Sequence, residues 1–219
     1  MRCIVTAGPT YEPIDQVRRL TNHSTGKLGT NLAKHLADDG HEVILLRGKM
    51  ATFTEVVESL DTRIFTTTDD LAKKLKQIAE EFPNSLAVFH TAAVSDFYAG
   101  SVFQKKTDGT LIPLKKDKLS TRKGKLLFEL CPTQKILSQL RSWYKEAQIF
   151  GWKYEVVGDR LATICKAQKQ INENDTNACV INGAAYGEGF GLLKKGSETA
   201  THFDNAKMLF NALANLINS

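Results

Sequence analysis

Short apolar, β-branched runs alternate along the chain with stretches whose apolar positions recur every three to four residues. That alternation predicts a parallel sheet with helices on both faces. The first strand falls on residues 3–6 and ends at Gly8. A long polar segment follows to about Thr25; then Leu28, Leu32, His35 and Leu36 mark one face of a helix that stops at Asp39 and Gly40, the glycine supplying a left-handed end. Further strands are expected at 43–46, 63–67 and 86–91, the last of them apolar until its final residues. Between the third and fourth, Asp69 is expected to cap a helix whose Leu71, Leu75, Ile78, Ala79 and Phe82 share a face, with Pro83 just beyond its end.

From Tyr98 to about Lys123 the periodicity gives way to Gly, Lys, Asp and Thr. An interruption of that length in a compact domain predicts a functional flap or partner-binding arm, placed at about 98–125. Regular alternation then resumes. A strand at 126–130 precedes a helix that Pro132 opens at its first position, with Ile136, Leu137, Leu140 and Trp143 as its buried stripe. A strand at 149–152, a helix at 161–171, a strand at 178–181 and a hairpin-like stretch at 189–195 follow. Ala206, Leu209, Phe210, Leu213 and Ile217 face inward on the closing helix. No repeat or linker breaks this order, so residues 1–219 are expected to form one Rossmann-like α/β domain, a mostly parallel sheet with helices on both faces and a projecting flap.

A hydrophobic fraction of 42% and a charged fraction of 24% are those of an ordinary globular protein, which argues against disorder or a fibre. No apolar run approaches the roughly 20 residues a bilayer crossing needs, and no signal-peptide pattern opens the chain. A cytoplasmic location without membrane contact is expected. Cys3, Cys131, Cys165 and Cys179 form no C-x-x-C pair and the histidines no H-E-x-x-H pair, so no protein-held metal is expected. The net charge of +5 comes largely from the lysines of 105–125. Few aromatic residues are interleaved with them, so phosphorylated small molecules suit that charge better than nucleic acid does.

Ligands of such folds bind at the carboxyl ends of the strands. Ser24-Thr25-Gly26-Lys27-Leu28-Gly29 reads S-x-G-x-x-G, the dinucleotide fingerprint with serine for its first glycine. Gly26 would admit a phosphate to the backbone, Gly29 would let helix and strand pack closely, and the amides of the helix start would hold the anion. The plainer alternative is that Ser24 caps the helix and Gly29 fills a packing contact. A Walker A loop is ruled out, since Thr21 stands five before Gly26 and Leu28 follows Lys27. The basic Arg47-Gly48-Lys49 after the second strand disfavours NAD and tolerates NADP, but no tyrosine has a lysine four residues later, as short-chain reductases require.

Six blocks in order resemble the phosphopantothenoylcysteine synthetases, or phosphopantothenate-cysteine ligases, which occur alone or fused behind a flavin-dependent decarboxylase. They are V-T-A-G-P-T from Val5, I-D-Q-V-R-R-L-T-N-H-S-T-G-K-L-G from Ile14, A-A-V-S-D-F from Ala92, K-L-S-T from Lys118, L-F-E-L-C-P-T-Q-K-I-L from Leu127 and V-I-N from Val180. The resemblance implies a two-step ligation in coenzyme A biosynthesis. The 4'-phosphopantothenate carboxylate attacks the α-phosphorus of CTP or ATP, releasing pyrophosphate, and the amine of cysteine then displaces the nucleotide from the acyl nucleotidylate.

Carried over by residue, the resemblance puts Asn22 against the acyl group and Lys118, on the flap, against the triphosphate. Ala92, Ala93 and Asp96 line and anchor the pantothenate chain, and Arg18 reaches the substrate phosphate of a neighbouring subunit. Gly8, Ser24, Gly26 and Gly29 cradle the nucleotide, with Trp152 at its base and Asn182 in a V-x-N motif. It further implies Mg²⁺ accompanying the triphosphate and a homodimer, and it allows a separate decarboxylase as a partner. The sequence departs from the family at Pro9, Trp152 and Gly183, and matches its helix lysines only loosely with Lys166 and Lys169. An NADP-dependent reductase and a non-catalytic nucleotide-binding module are the competing readings.

Overall fold

The structure is a computed structural model that describes residues 2–53, 55, 60–114, 119 and 124–218. From β1 (Arg2–Ala7) the chain passes through a hairpin of β2 (Tyr11–Pro13) and β3 (Arg19–Thr21) into α1 (Lys27–Asp38). β4 (Glu42–Gly48), β5 (Asp61–Phe65), α2 (Thr68–Glu81) and β6 (Ala87–His90) follow. β7 (Phe97–Lys105), β8 (Leu111–Leu114) and β9 (Leu126–Pro132) form a separate antiparallel sheet. The rest comprises α3 (Leu137–Trp143), β10 (Gln148–Tyr154), α4 (Arg160–Asn174), β11 (Ala178–Asn182), β12 (Phe190–Lys194), β13 (Thr201–Phe203) and α5 (Ala206–Asn218).

The main sheet has the order β13-β12-β11-β10-β6-β1-β4-β5 and is parallel except at β12 and β13. Its central strands are apolar throughout because both their faces are covered. Cys3, Val5 and Ala7 meet Leu32, Leu36 and Leu213 of α1 and α5 on one face; Ile4 meets Leu71, Leu75 and Leu140 of α2 and α3 on the other. α1 carries the chain from β1 to β4 and α2 returns it to β6 on the far side of β1, so the winding reverses between β1 and β6. A crevice opens at the carboxyl ends of strands where this happens.

The first turn of α1 packs against that reversal with no space to spare. A Cβ on Gly29 would lie 2.3 Å from Thr91 Oγ1, 2.7 Å from Ala7 Cβ and 3.0 Å from the Thr6 carbonyl oxygen. Glycine there sets how near helix and sheet approach.

Several expected boundaries shift. The third strand ends at Phe65, and Thr67 rather than Asp69 caps α2, its side chain accepting from the Asp70 amide at 3.2 Å. The polar segment before α1 contains the β2–β3 hairpin. Pro132 does not open a helix: it ends β9, because Thr133 continues the flap pairing by donating its amide to the Asp96 carbonyl at 3.0 Å and its hydroxyl to the Ser95 carbonyl, and α3 begins at Leu137. The strand expected at 126–130 therefore belongs to the flap, whose three strands lie between Phe97 and Pro132 rather than within 98–125. The hairpin-like stretch is β12, which pairs with β11 as well as β13.

Both outer strands of the main sheet are blunted. Arg63 of β5 pairs with Asp61 and Glu81 at 2.8 Å each, and β13 is three residues long, with His202 Nδ1 2.9 Å from the Arg160 guanidinium. The flap is fastened to the body through Asp15, whose side chain is buried. It accepts from the amides of Val17, Arg18 and Leu119 at 2.9, 2.8 and 3.2 Å and pairs with the Arg18 guanidinium. Desolvation alone would raise this carboxyl; the three amides and the Arg18 charge outweigh it and bring it down to about 2.

Gly29→Ala is expected to destabilise the fold by about 1–3 kcal/mol through overpacking, read as a lower urea midpoint at unchanged slope. Asp15 binds its proton less readily when folded than its ordinary value of 3.8, so its contribution is complete above that value and disappears as pH falls through about 2. The stability gap between wild type and Asp15→Asn in urea titrations should therefore be widest above about pH 4 and close toward pH 2.

Candidate active site

Segments 8–10 and 92–95 continue the β1 and β6 pairing beyond the strands. The Ala93 amide donates to the Gly8 carbonyl at 3.0 Å, and the Thr10 amide donates to the Ala93 carbonyl at 3.1 Å. Gly8 and Gly26 both take the left-handed conformation, with φ of 84° and 80°, and lie against each other: a Cβ on Gly26 would come within 3.3 Å of Gly8 Cα. Gly26, not Ser24, is the N-cap of α1 and has no side chain to offer, while Thr25 Oγ1 accepts the Lys27 amide at 3.2 Å. The start of α1 lies beside the β1 turn, as an anion site requires.

Asn22, exposed, donates its side-chain amide to the Val94 carbonyl at 2.9 Å, across 72 residues of sequence. Ala92 donates its amide to Thr6 Oγ1 at 3.0 Å. Asp96 pairs with Lys135 at 2.5 Å on the rim of a cavity of about 700 Å³ between the ends of β6 and β10 and helices α3 and α4. Trp152 borders this cavity and also packs against the core that α1 and α5 cover. Asn182 ends the adjoining strand, opposite Tyr154. Trp152 Nε1 and Asn182 Oδ1 are both buried without a hydrogen-bond partner, each a cost of roughly 1–3 kcal/mol unless water or a ligand meets it.

Gly8, Asn22, Ser24, Gly26, Gly29, Ala92, Ala93, Asp96, Trp152 and Asn182 therefore gather at the carboxyl ends of β1, β6, β10 and β11, four neighbouring strands. Arg18 stands apart: its guanidinium is held by Asp15 and by the Leu119 carbonyl at 3.1 Å, at the root of the flap. Lys118 lies outside the described residues.

Three features were not anticipated. Glu155 binds Lys166 at 2.6 Å and Lys153 at 3.2 Å on the cavity wall; the Lys166 bond foremost, against some desolvation and with help from Lys153, keeps its carboxyl below the usual range. Thr6 bridges β1 to the Ala92 amide. His90, the last residue of β6, is 7% exposed and lies 3.1 Å by Nδ1 from Thr6 Oγ1. Burial pushes its pKa down from 6.5 to about 4, so it is neutral at pH 7. A histidine closing an otherwise apolar strand was the visible signal. Among the described residues no group of three or more His, Cys, Asp or Glu could hold a metal ion, and no helix is long and apolar enough to cross a membrane.

The chain is similar to several known proteins. The DNA/pantothenate metabolism flavoprotein from Streptococcus pneumoniae superposes with a TM-score of 0.85 at 25% identity, covering 100% of this chain and 98% of that one. The coenzyme A biosynthesis bifunctional protein CoaBC of Bacillus subtilis is 31% identical over 193 residues, which are 84% of this chain and 42% of that protein. A Cab2 H337A mutant in complex with phosphopantothenate-cysteine shares the fold at a TM-score of 0.75 and 18% identity, covering 99% of this chain and 87% of that one. The chain spans only about two fifths of the length of the curated relatives it matches, 42% and 40% for the Bacillus subtilis and Methanocaldococcus jannaschii proteins. Residues 1–209 match the family model, and the chain belongs to the family of DNA/pantothenate metabolism flavoprotein C-terminal domains.

Proposed function

We propose that this domain ligates 4'-phosphopantothenate to L-cysteine in coenzyme A biosynthesis, using CTP or ATP. The observation that carries this reading is the Asn22–Val94 hydrogen bond. It joins the two most specific sequence blocks at one strand end, beside the start of α1 and a cavity with lysines on its wall. The bifunctional coenzyme A relatives and the phosphopantothenate-cysteine complex of a protein with this fold support the substrate assignment. No comparable observation favours an NADP-dependent reductase or a binding module without turnover.

In the first step a carboxylate oxygen bonds to the α-phosphorus and the bond to pyrophosphate breaks. In the second, the cysteine nitrogen bonds to the acyl carbon, the nucleoside monophosphate departs, and the amine gives up a proton. Both steps concentrate negative charge that fixed donors can hold. The Asn22 side-chain amide, oriented by Val94, and Lys118 take that role. Gly8, Ser24, Gly26 and Gly29 receive the nucleotide phosphates, Trp152 and Asn182 its nucleoside end. Ala92, Ala93 and Asp96 accommodate the pantothenate chain.

Mg²⁺ would enter with the triphosphate. The acidic side chains near the site fit no resident ion, since Asp96 and Glu155 are already paired with lysines. No step is assigned to the metal. We further propose a cytoplasmic homodimer in which Arg18 serves the phosphate of the partner's substrate. Leu127, Phe128 and Leu130 of β9, at 42%, 40% and 52% exposed, point to both faces of the flap sheet, and apolar surface of that kind suits a second copy.

Incubation with phosphopantothenate, cysteine, Mg²⁺ and either nucleotide should release pyrophosphate; silence with both ends the ligase reading. Asn22→Ala is expected to lower kcat by about a hundredfold or more, and Lys118→Gln to abolish most turnover, each with an unchanged melting curve. Leu130→Glu should shift the sedimenting species from dimer to monomer, whereas a wild-type monomer at micromolar concentration would remove the dimer.

A further inference from the structure

His90 is the one buried histidine on the wall of the cavity between β6, β10, α3 and α4, and the reaction described above makes no use of it. Its hydrogen-bond pattern assigns its tautomer. Thr6 Oγ1 accepts the Ala92 amide, and among the described residues the one acceptor within reach of its own hydroxyl hydrogen is His90 Nδ1, 3.1 Å away, so the arrangement that satisfies the buried hydroxyl has Thr6 donating to the ring. A ring nitrogen that accepts cannot carry the proton, which leaves it on Nε2. Nε2 has no protein partner among the described residues and is not one of the buried orphaned atoms, so it opens onto the cavity that His90 lines. An N–H held in a fixed direction at a cavity wall can exchange water for a ligand acceptor.

The acceptor's class follows from the surroundings. His90 is neutral at pH 7 because burial depresses its pKa, so it offers a dipole rather than a charge. The charged groups on the same wall, Lys135, Lys153 and Lys166, each already face a carboxylate, Asp96 or Glu155. Ala92, Val94 and Asp96 run along the cavity immediately after His90. We propose that His90 is a substrate-binding residue whose Nε2–H donates to an uncharged oxygen, an amide carbonyl or hydroxyl, of the phosphopantothenate chain. This inference rests on the ligase reading. Thr6 is then a positioning residue, fixing the imidazole tautomer and the Ala92 amide through one hydroxyl.

Two variants divide the ring's two nitrogens. His90→Asn places an acceptor where Nδ1 was and keeps the Thr6 bond but removes the donor; His90→Gln reaches the Nε2 position with an N–H. His90→Asn is expected to melt near wild type and to raise KM for phosphopantothenate about three- to tenfold with little change in kcat, and His90→Gln to recover most of that loss. An unchanged KM in a folded His90→Asn protein, or an increase confined to the nucleotide, overturns the proposal. Should the variants fold poorly, the wild-type protein labelled with ¹⁵N-histidine gives the same decision. Phosphopantothenate alone should move the His90 Nε2–H resonance downfield, and a silent resonance under saturation counts against it. Pyrophosphate release with a silent His90 sinks only this inference. Neither release nor calorimetric binding of phosphopantothenate by the wild type sinks the ligase reading, and this one with it.

Discussion

The architecture turns on the contact between the first turn of α1 and the strand pair β1–β6. At Gly29 the helix lies so near the Thr6 carbonyl, Ala7 and Thr91 that any side chain would overlap them. That approach brings the start of α1 to the point where the winding of the sheet reverses, and it lets Gly26 rest on Gly8. Were the helix displaced outward, its first turn would face solvent instead of the crevice. Close packing and the placing of the helix start are settled by the same absent methyl group.

Around this contact the strand ends behave as a set. Thr6, Ala92 and His90 share one hydroxyl; Ala93 and Gly8 share a ladder rung; Asn22 is fastened to Val94. Each interaction is individually worth about a kilocalorie per mole. Together they convert three separate chain segments into one surface whose polar atoms are held at fixed distances, which is the condition for recognising charge as it develops rather than after it has formed.

Much of this was legible in the sequence, and the parts that were not have physical reasons. Wherever both faces of a strand are buried, as in β1, β6 and β11, the apolar run is continuous and its position is readable to within a residue or two. The flap escaped detection as a sheet because β7 and β8 have little core of their own to bury, so no alternation marks them, and β9 was read as a strand without its partners. Pro132 misled because a proline at the end of a strand and one at the start of a helix look alike in sequence; the Thr133–Asp96 pairing decides between them. The glycine loop, Asn22 and the 92–96 segment were found through local motifs. His90 and Glu155 were missed because their partners, Thr6 and Lys166, are joined to them only by the fold.

The blunted outer strands bear on how the molecule can grow. A three-residue β13 whose own His202 is clasped by Arg160, and a β5 whose Arg63 is locked between two carboxylates, are poor templates for an incoming strand. Lateral extension into a continuous intermolecular sheet is thereby discouraged at both ends, which disfavours fibre-like stacking of one copy on another.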